Sequence, residues 1–244
     1  AKTRKNDSLR CPKTDKLDPK SIAKTYYSHS LHNSHKQETI YHELRELSRY
    51  CQAVSDTMAD KAIEYSKTIY SGCDKDDIEV LILQRFIKKL KEDMAEAERT
   101  IGEMIKLAQE LPDFSIIKSI PGIGDNLAAR IIAELGDMTR FKKKNELVAF
   151  AGLDPRISES GQNDGDHMHI TKKGNKRLRC LLYLAVTCSI RLKRDDNSIK
   201  DFYIKKKQQS NPMCSKAAKT ACASKLVRII YSMCKTGELY QYNK

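Results

Sequence analysis

The chain has 244 residues, enough to bury a core and to hold two or three units. Its 45 Lys and Arg against 32 Asp and Glu leave +13, a balance that suits a polyanionic partner, nucleic acid before an anionic membrane, or simply a basic soluble protein. With no run of eighteen apolar residues no membrane-spanning helix is expected, and AKTRKNDSLR does not read as a signal peptide. The eight cysteines contain no C-x-x-C pair, which argues for reduced cytosolic thiols and against zinc.

Residues 1–24 are polar and basic and include Lys13-Thr14-Asp15-Lys16-Leu17-Asp18-Pro19. On a helical turn the carboxylates of Asp15 and Asp18 would share a face and could hold a divalent cation. A capped helix start or solvated charge fits the same residues. His29, His32 and His35 lie in a polar segment with no second ligand cluster and read as surface residues. A long helix is expected from Gln37 to Tyr70, with Ile40, Leu44, Leu47, Cys51, Val54 and Met58 as a heptad seam. Ser71-Gly72-Cys73-Asp74 breaks it. The second long helix keeps the three–four alternation for about four heptads, from Val80 through Ile87, Met94 and Ile101 to Leu111, and Pro112 ends it. The two helices form an antiparallel hairpin whose seams can pair internally or with another subunit.

Ile116, Ile117 and Ile120 form the apolar side of a short helix, followed by Pro121-Gly122-Ile123-Gly124 and a helical pattern at Leu127, Ala128, Ile131, Ile132 and Leu135. Helix, Pro-Gly-Ile-Gly turn, helix reads as a helix-hairpin-helix element. Such an element offers backbone N–H groups to a phosphate through Gly122 and Gly124. A tight turn between packed helices fits equally. Leu147 to Ala151 is helical and stops at Gly152, and Asp154-Pro155 turns the chain. Residues 156–169 are polar and glycine-bearing. They run into the cationic segment Thr171 to Arg179 and then a buried helix, Leu181 to Leu192. A short basic helix from Ser198 to Gln209 and a last long one from Lys216 to Lys235 complete the chain.

Ala149-Phe150-Ala151-Gly152-Leu153-Asp154-Pro155, then Ser160-Gly161, then Ile170-Thr171-Lys172-Lys173-Gly174-Asn175 and Leu178-Arg179 follow one another at a characteristic spacing. In this they resemble the C-terminal domain of the DEDD-type insertion-sequence transposases. These are relatives of the pilin-gene-inverting DNA recombinases, also called bridge recombinases. The likeness extends over residues 116–239.

The resemblance implies a mainly α protein: a long coiled-coil helical hairpin followed by a helical domain with a helix-hairpin-helix element and a polar active-site loop. Residues 1–35 would be the tail of a Holliday-junction-resolvase-like domain, 36–112 the hairpin and 113–244 the serine-bearing domain. Asp15 and Asp18 match the family's K-T-D-x-x-D segment, with Pro19 where alanine is usual. They would be two of four acids that hold Mg²⁺, the other two lying upstream of residue 1, so this piece alone would be inactive. Ser160 matches the family's proposed nucleophile, with Ser158 next should the loop register differ. The second glycine and lysine that often follow are Gln162 and Asn163 here. Lys172, Lys173, Arg177 and Arg179 would hold nucleic-acid backbone. The implied activity is binding, cutting and rejoining DNA at insertion-sequence ends through a phosphoserine intermediate. A guide RNA would direct it, the coiled coil would mediate self-association, and the setting would be cytoplasmic. Without the resemblance, any loop serine is a turn residue first. The residues then suit a non-catalytic helix-hairpin-helix module, a transposon remnant, or an interaction protein built on its coiled coil.

Overall fold

The computed structural model describes residues 39–71, 77–155, 169–193 and 197–242. All of them fall in the unit Gln37–Lys244; the other unit, Ala1–Lys36, lies outside the described residues. The described residues are mainly helical, and their one β pairing is an isolated antiparallel bridge between Pro155 and Ile170. No helix among them is long and apolar enough to cross a membrane.

Two helices of 32 residues each, α1 (Thr39–Tyr70) and α2 (Ile78–Gln109), form the hairpin. The Cys51 thiol reaches Ala97 O, Lys61 lies over the Phe86 ring, and Gln84 Nε2 donates to the Tyr65 hydroxyl. As one number rises the other falls, so the helices are antiparallel. In α2 the fully buried residues Leu83, Leu90, Ala97 and Met104 recur every seventh position, while Ile87, Met94 and Ile101 are half-buried. A single partner helix covers one side of a heptad seam and leaves the other side partly open.

The α1 seam differs from the expected one. Tyr41, Leu44, Ser48 and Cys51 are buried, whereas Ile40, Leu47, Val54 and Met58 are half-buried. The reason is a second neighbour: the root of α1 packs on α4 as well as α2, and a helix wedged between two others needs a broader covered face.

The remaining helices enclose one core. They are α3 (Pro112–Lys118), α4 (Asp125–Leu135), α5 (Lys144–Ala151), α6 (Lys176–Arg191), α7 (Ser198–Lys207) and α8 (Ser215–Thr236), with a 3₁₀ turn at Met138–Arg140. Pro112 does more than end α2, since it is the first residue of α3, where a missing N–H costs nothing. Buried Leu226, Val227 and Ile230 lie on α8, which packs against α6, α5, α7 and α3. Buried Asn197 ties α6 to α7: its Oδ1 caps α7 at Ile199 N and Lys200 N, and its Nδ2 donates to Ser189 O at 2.9 Å. Tyr240 closes the other side: its hydroxyl accepts from Ser198 N, and its backbone N–H donates to Ser119 Oγ at 2.8 Å.

The cysteines report on this packing. Cys180 and Cys214 are exposed, and Cys51 and Cys222 are buried. Burial raises both interior thiols, Cys222 to about 11, against a lesser pull from nearby cations. Since the thiolate is the reactive form, iodoacetamide at about pH 8 should label Cys180 and Cys214 in the folded chain. Cys51 and Cys222 should react only after unfolding, as peptide mass spectrometry would show.

Candidate nucleic-acid interface and loop base

The turn between α3 and α4 is closed by Ile123 N donating to Ile120 O at 3.1 Å. Pro121 follows the first residue and Gly122 takes φ +91°, the pattern of a type II turn. Gly122 also faces α6, where a Cβ would lie 2.5 Å from Ser189 N. Its missing side chain therefore lets α6 approach, a task not evident from the turn sequence. Gly124 is different. It is exposed, it is the N-cap residue of α4, and a Cβ there would meet nothing within 4 Å. Beside it Asp125 complements the helix N-terminus and pairs with Lys118 at 2.5 Å. Of the two turn glycines, the structure leaves Gly124 open to a ligand and uses Gly122 in packing.

The polar segment 156–168, with Ser158, Ser160 and His167, lies outside the described residues, as do Asp15 and Asp18. Its two ends do not. Gly152 caps α5 in the left-handed conformation, φ +67°. Gly174 crosses it so closely that a Cβ on Gly174 would lie 2.2 Å from Phe150 O and 2.3 Å from Gly152 N. Across this contact Asn175 N donates to Phe150 O, Lys172 N to Gly152 O and Thr171 N to Asp154 O. The Thr171 hydroxyl bonds Asp154 Oδ1 at 2.6 Å, and the Pro155–Ile170 bridge completes the closure. The two ends of the segment are therefore held together at one place.

A buried carboxylate anchors that place. The Glu134 side chain on α4 has no exposed surface, and receives Asn175 Nδ2 at 2.7 Å and Arg49 Nε at 3.2 Å. Asn175 meanwhile accepts from Leu178 N, which caps α6. That cap starts α6 at Lys176, five residues before the expected Leu181, so the cationic residues form its first turn. Two further arginine contacts join α1 to α4: Arg45 Nε to Ala133 O at 3.1 Å, and Arg130 on α4 to Gln52 Oε1 at 2.5 Å. Burial lowers the Arg130 pKa, partly offset by Cys51 and Asp56.

The four predicted cations are not equivalent. Lys172, Lys173 and Arg177 are exposed, and Lys172 sits at φ +55°, unusual for a side chain of its size. Arg179 is half-buried and donates from Nη1 to Ala151 O at 2.9 Å, which gives it an internal task at the α5 terminus. Among the described residues no group of three or more His, Cys, Asp or Glu could hold a metal ion. Sequence reasoning missed Glu134 and the cap at Asn175. Both left a signal: a lone acid inside the apolar run IIAEL, and an asparagine directly before a helical pattern.

Comparison with known proteins adds an independent line. Residues 114–203 match the model described as the transposase IS116/IS110/IS902 family, a stretch that contains the turn, Glu134 and both ends of the loop base. An uncharacterized 44.8 kDa protein of insertion element IS116 from Streptomyces clavuligerus is 29% identical over 189 residues, 76% of this chain and 45% of its own length. The transposase for insertion sequence element IS1111A of Coxiella burnetii is 29% identical over 166 residues, 65% of this chain and 44% of its own. A pilin gene-inverting protein of Moraxella bovis is 28% identical over 99 residues, 40% of this chain and 31% of its own. The chain thus spans less than half the length of these relatives.

Two stability measurements test the geometry. Glu134→Ala strips the partner from Asn175 and from the partly exposed Arg49, and should cost about 1–3 kcal/mol in urea unfolding, the scale for donors left without an acceptor. Gly122→Ala should also lower the midpoint, because the new Cβ meets the α6 backbone, whereas Gly124→Ala should leave the fold intact. Equal effects at the two glycines would contradict the packing assigned to Gly122.

Proposed function

We propose that this chain is part of a DNA transposase or recombinase that binds, cuts and rejoins DNA at insertion-sequence ends. The observation that carries the reading is the match of residues 114–203 to a transposase family model, since that stretch includes both flanks of the Ser160 segment. Two relatives whose names declare transposition or gene inversion agree with it.

Rejoining DNA without an energy source requires that the phosphodiester energy be kept, and a serine ester keeps it. The Ser160 hydroxyl attacks a DNA phosphorus, the new Oγ–P bond replaces the bond to a deoxyribose oxygen, and that oxygen leaves with the proton the serine gives up. The hydroxyl of another DNA end reverses the step and frees the serine. Lys172, Lys173 and Arg177 neutralise the phosphate backbone next to the loop base, and Gly124 lets backbone approach the start of α4. Arg179 supports the same region from inside, through Ala151. Asp15 and Asp18, with carboxylates from elsewhere in the whole protein, would hold Mg²⁺, whose charge would oppose that of the reacting phosphate.

The same cations accept an RNA backbone, which suits a guide RNA as a second ligand. Self-association fits the exposed apolar side chains at the hairpin tip, among them Ile63, Tyr70, Ile78, Ile82 and Phe86.

The test is covalent trapping. In the full-length protein supplied with Mg²⁺, an element end and RNA, a DNA adduct should form and map to Ser160. Ser160→Ala should abolish the adduct with DNA affinity nearly unchanged, because the hydroxyl carries no charge. An adduct that survives Ser160→Ala and vanishes in Ser158→Ala would move the nucleophile, and one that survives both would rule out serine chemistry.

A further inference from the structure

Charge is partitioned sharply along this chain. The hairpin, residues 39–111, carries 11 Lys and Arg against 15 Asp and Glu, whereas residues 112–244 carry 25 against 13. Within the second part, residues 197–242 carry nine basic residues against Asp201 and Glu238. Asp201 already accepts the Tyr242 hydroxyl at 2.8 Å.

The fold gathers these cations. Tyr203 on α7 meets Ser215 on α8 through their hydroxyls at 3.1 Å, and Lys225 Nζ reaches back to Ser198 O at 2.9 Å. The helices are therefore antiparallel. The basic last turn of α7, Lys205 to Lys207, lies beside the start of α8 with Lys216 and Lys219. Lys219 sits 5.6 Å over the Tyr183 ring of α6, which joins this end to the helix that begins at Lys176 and Arg177. Helix α6 contains no acid at all. From Arg177 to Tyr183 is about 9 Å along it, roughly the rise of three phosphates on one duplex strand.

Fold stability does not account for the cluster. Among the described residues, ion pairs form at Arg49, Lys61, Arg99 and Lys118, and none engages Lys205, Lys216 or Lys219. Lys216 stands in the first turn of α8, the end at which a cation opposes the macrodipole. Asp201, one turn before Lys205 and lining the same groove, is the one acid of α7, and like charges held together with so little opposite charge repel one another until an anion neutralises them.

We propose that the α7–α8 end is a second nucleic-acid contact surface. The phosphodiester backbone passes from Lys172, Lys173 and Arg177 over Tyr183 and Lys219 to Lys205 and Lys216. Recognition is of backbone charge and carries no base preference. The inference rests on the nucleic-acid reading above but adds a separate surface to it.

The 244-residue chain supplies the test, by titration against a duplex DNA and a single-stranded RNA over a range of salt. The triple variant Lys205→Gln, Lys216→Gln and Lys219→Gln should lower the slope of log affinity against log salt. The drop should be about 2.7 for a duplex and about 2 for a single strand if all three contact phosphates. Whichever probe shows the drop identifies the ligand of this surface. A matched triple on exposed α2 positions, Lys88→Gln, Lys89→Gln and Lys91→Gln, removes the same charge and should leave the slope unchanged. Lys205→Glu alone, at an exposed site, should weaken binding several-fold and guards against a folding defect in the triple. Binding that keeps its slope in the α7–α8 variants, or falls equally in both triples, would overturn this surface and leave the loop-base contact standing. Failure of the unmutated chain to bind either probe at low salt would overturn the nucleic-acid reading itself.

Discussion

A carboxylate removed from water needs donors in place of the lost hydration, and Glu134 is supplied with them from two directions. Arg49 comes from the hairpin and Asn175 from the start of α6. Neither could be moved without exposing the acid to apolar surroundings, so one side chain fixes the relation between the hairpin root, α4 and the loop base. Asn175 carries the constraint onward. Its oxygen sets where α6 begins, and its backbone N–H holds Phe150 O. The exposed cations that follow Asn175 thus owe their position to a side chain with no exposed surface.

The second constraint is steric. Gly152 and Gly174 bring two backbones closer than any side chain would allow, which is what lets three main-chain hydrogen bonds form across the gap. Phe150 is held from its other side by Arg140, whose guanidinium lies 4.5 Å from both the Phe141 and Phe150 rings. Burial lowers the Arg140 pKa, with Arg45 adding a smaller push in the same direction. Polar closure and aromatic packing therefore act on the same short stretch of α5.

Much of the helical order was legible because it is local. The α2 heptads, the stop at Gly152 and the apolar pattern of α4 all depend on residues a few positions apart. What escaped reading depends on partners far along the chain. Gly122 is small because of Ser189, the α1 seam is broad because α4 lies on it, and Glu134 is tolerable because of Arg49 and Asn175. Periodicity reports that a face is buried but not by how many neighbours. The two ends of the polar segment were legible in another way, through the order and spacing of their motifs. Those motifs mark the closure of the loop: Gly152, Asp154, Thr171, Gly174 and Asn175 all make the contacts that draw its ends together.

That closure changes what the intervening residues owe to the rest of the protein. Once Pro155 and Ile170 are paired and the glycines crossed, the end-to-end distance between them is set by the domain. Altering the length between two fixed points is inexpensive, since doubling a loop costs only about 0.6 kcal/mol in closure entropy. The segment is consequently a cassette. Its length and composition can therefore change at little cost to the contacts that Gly152, Asp154, Thr171 and Gly174 make at its two ends.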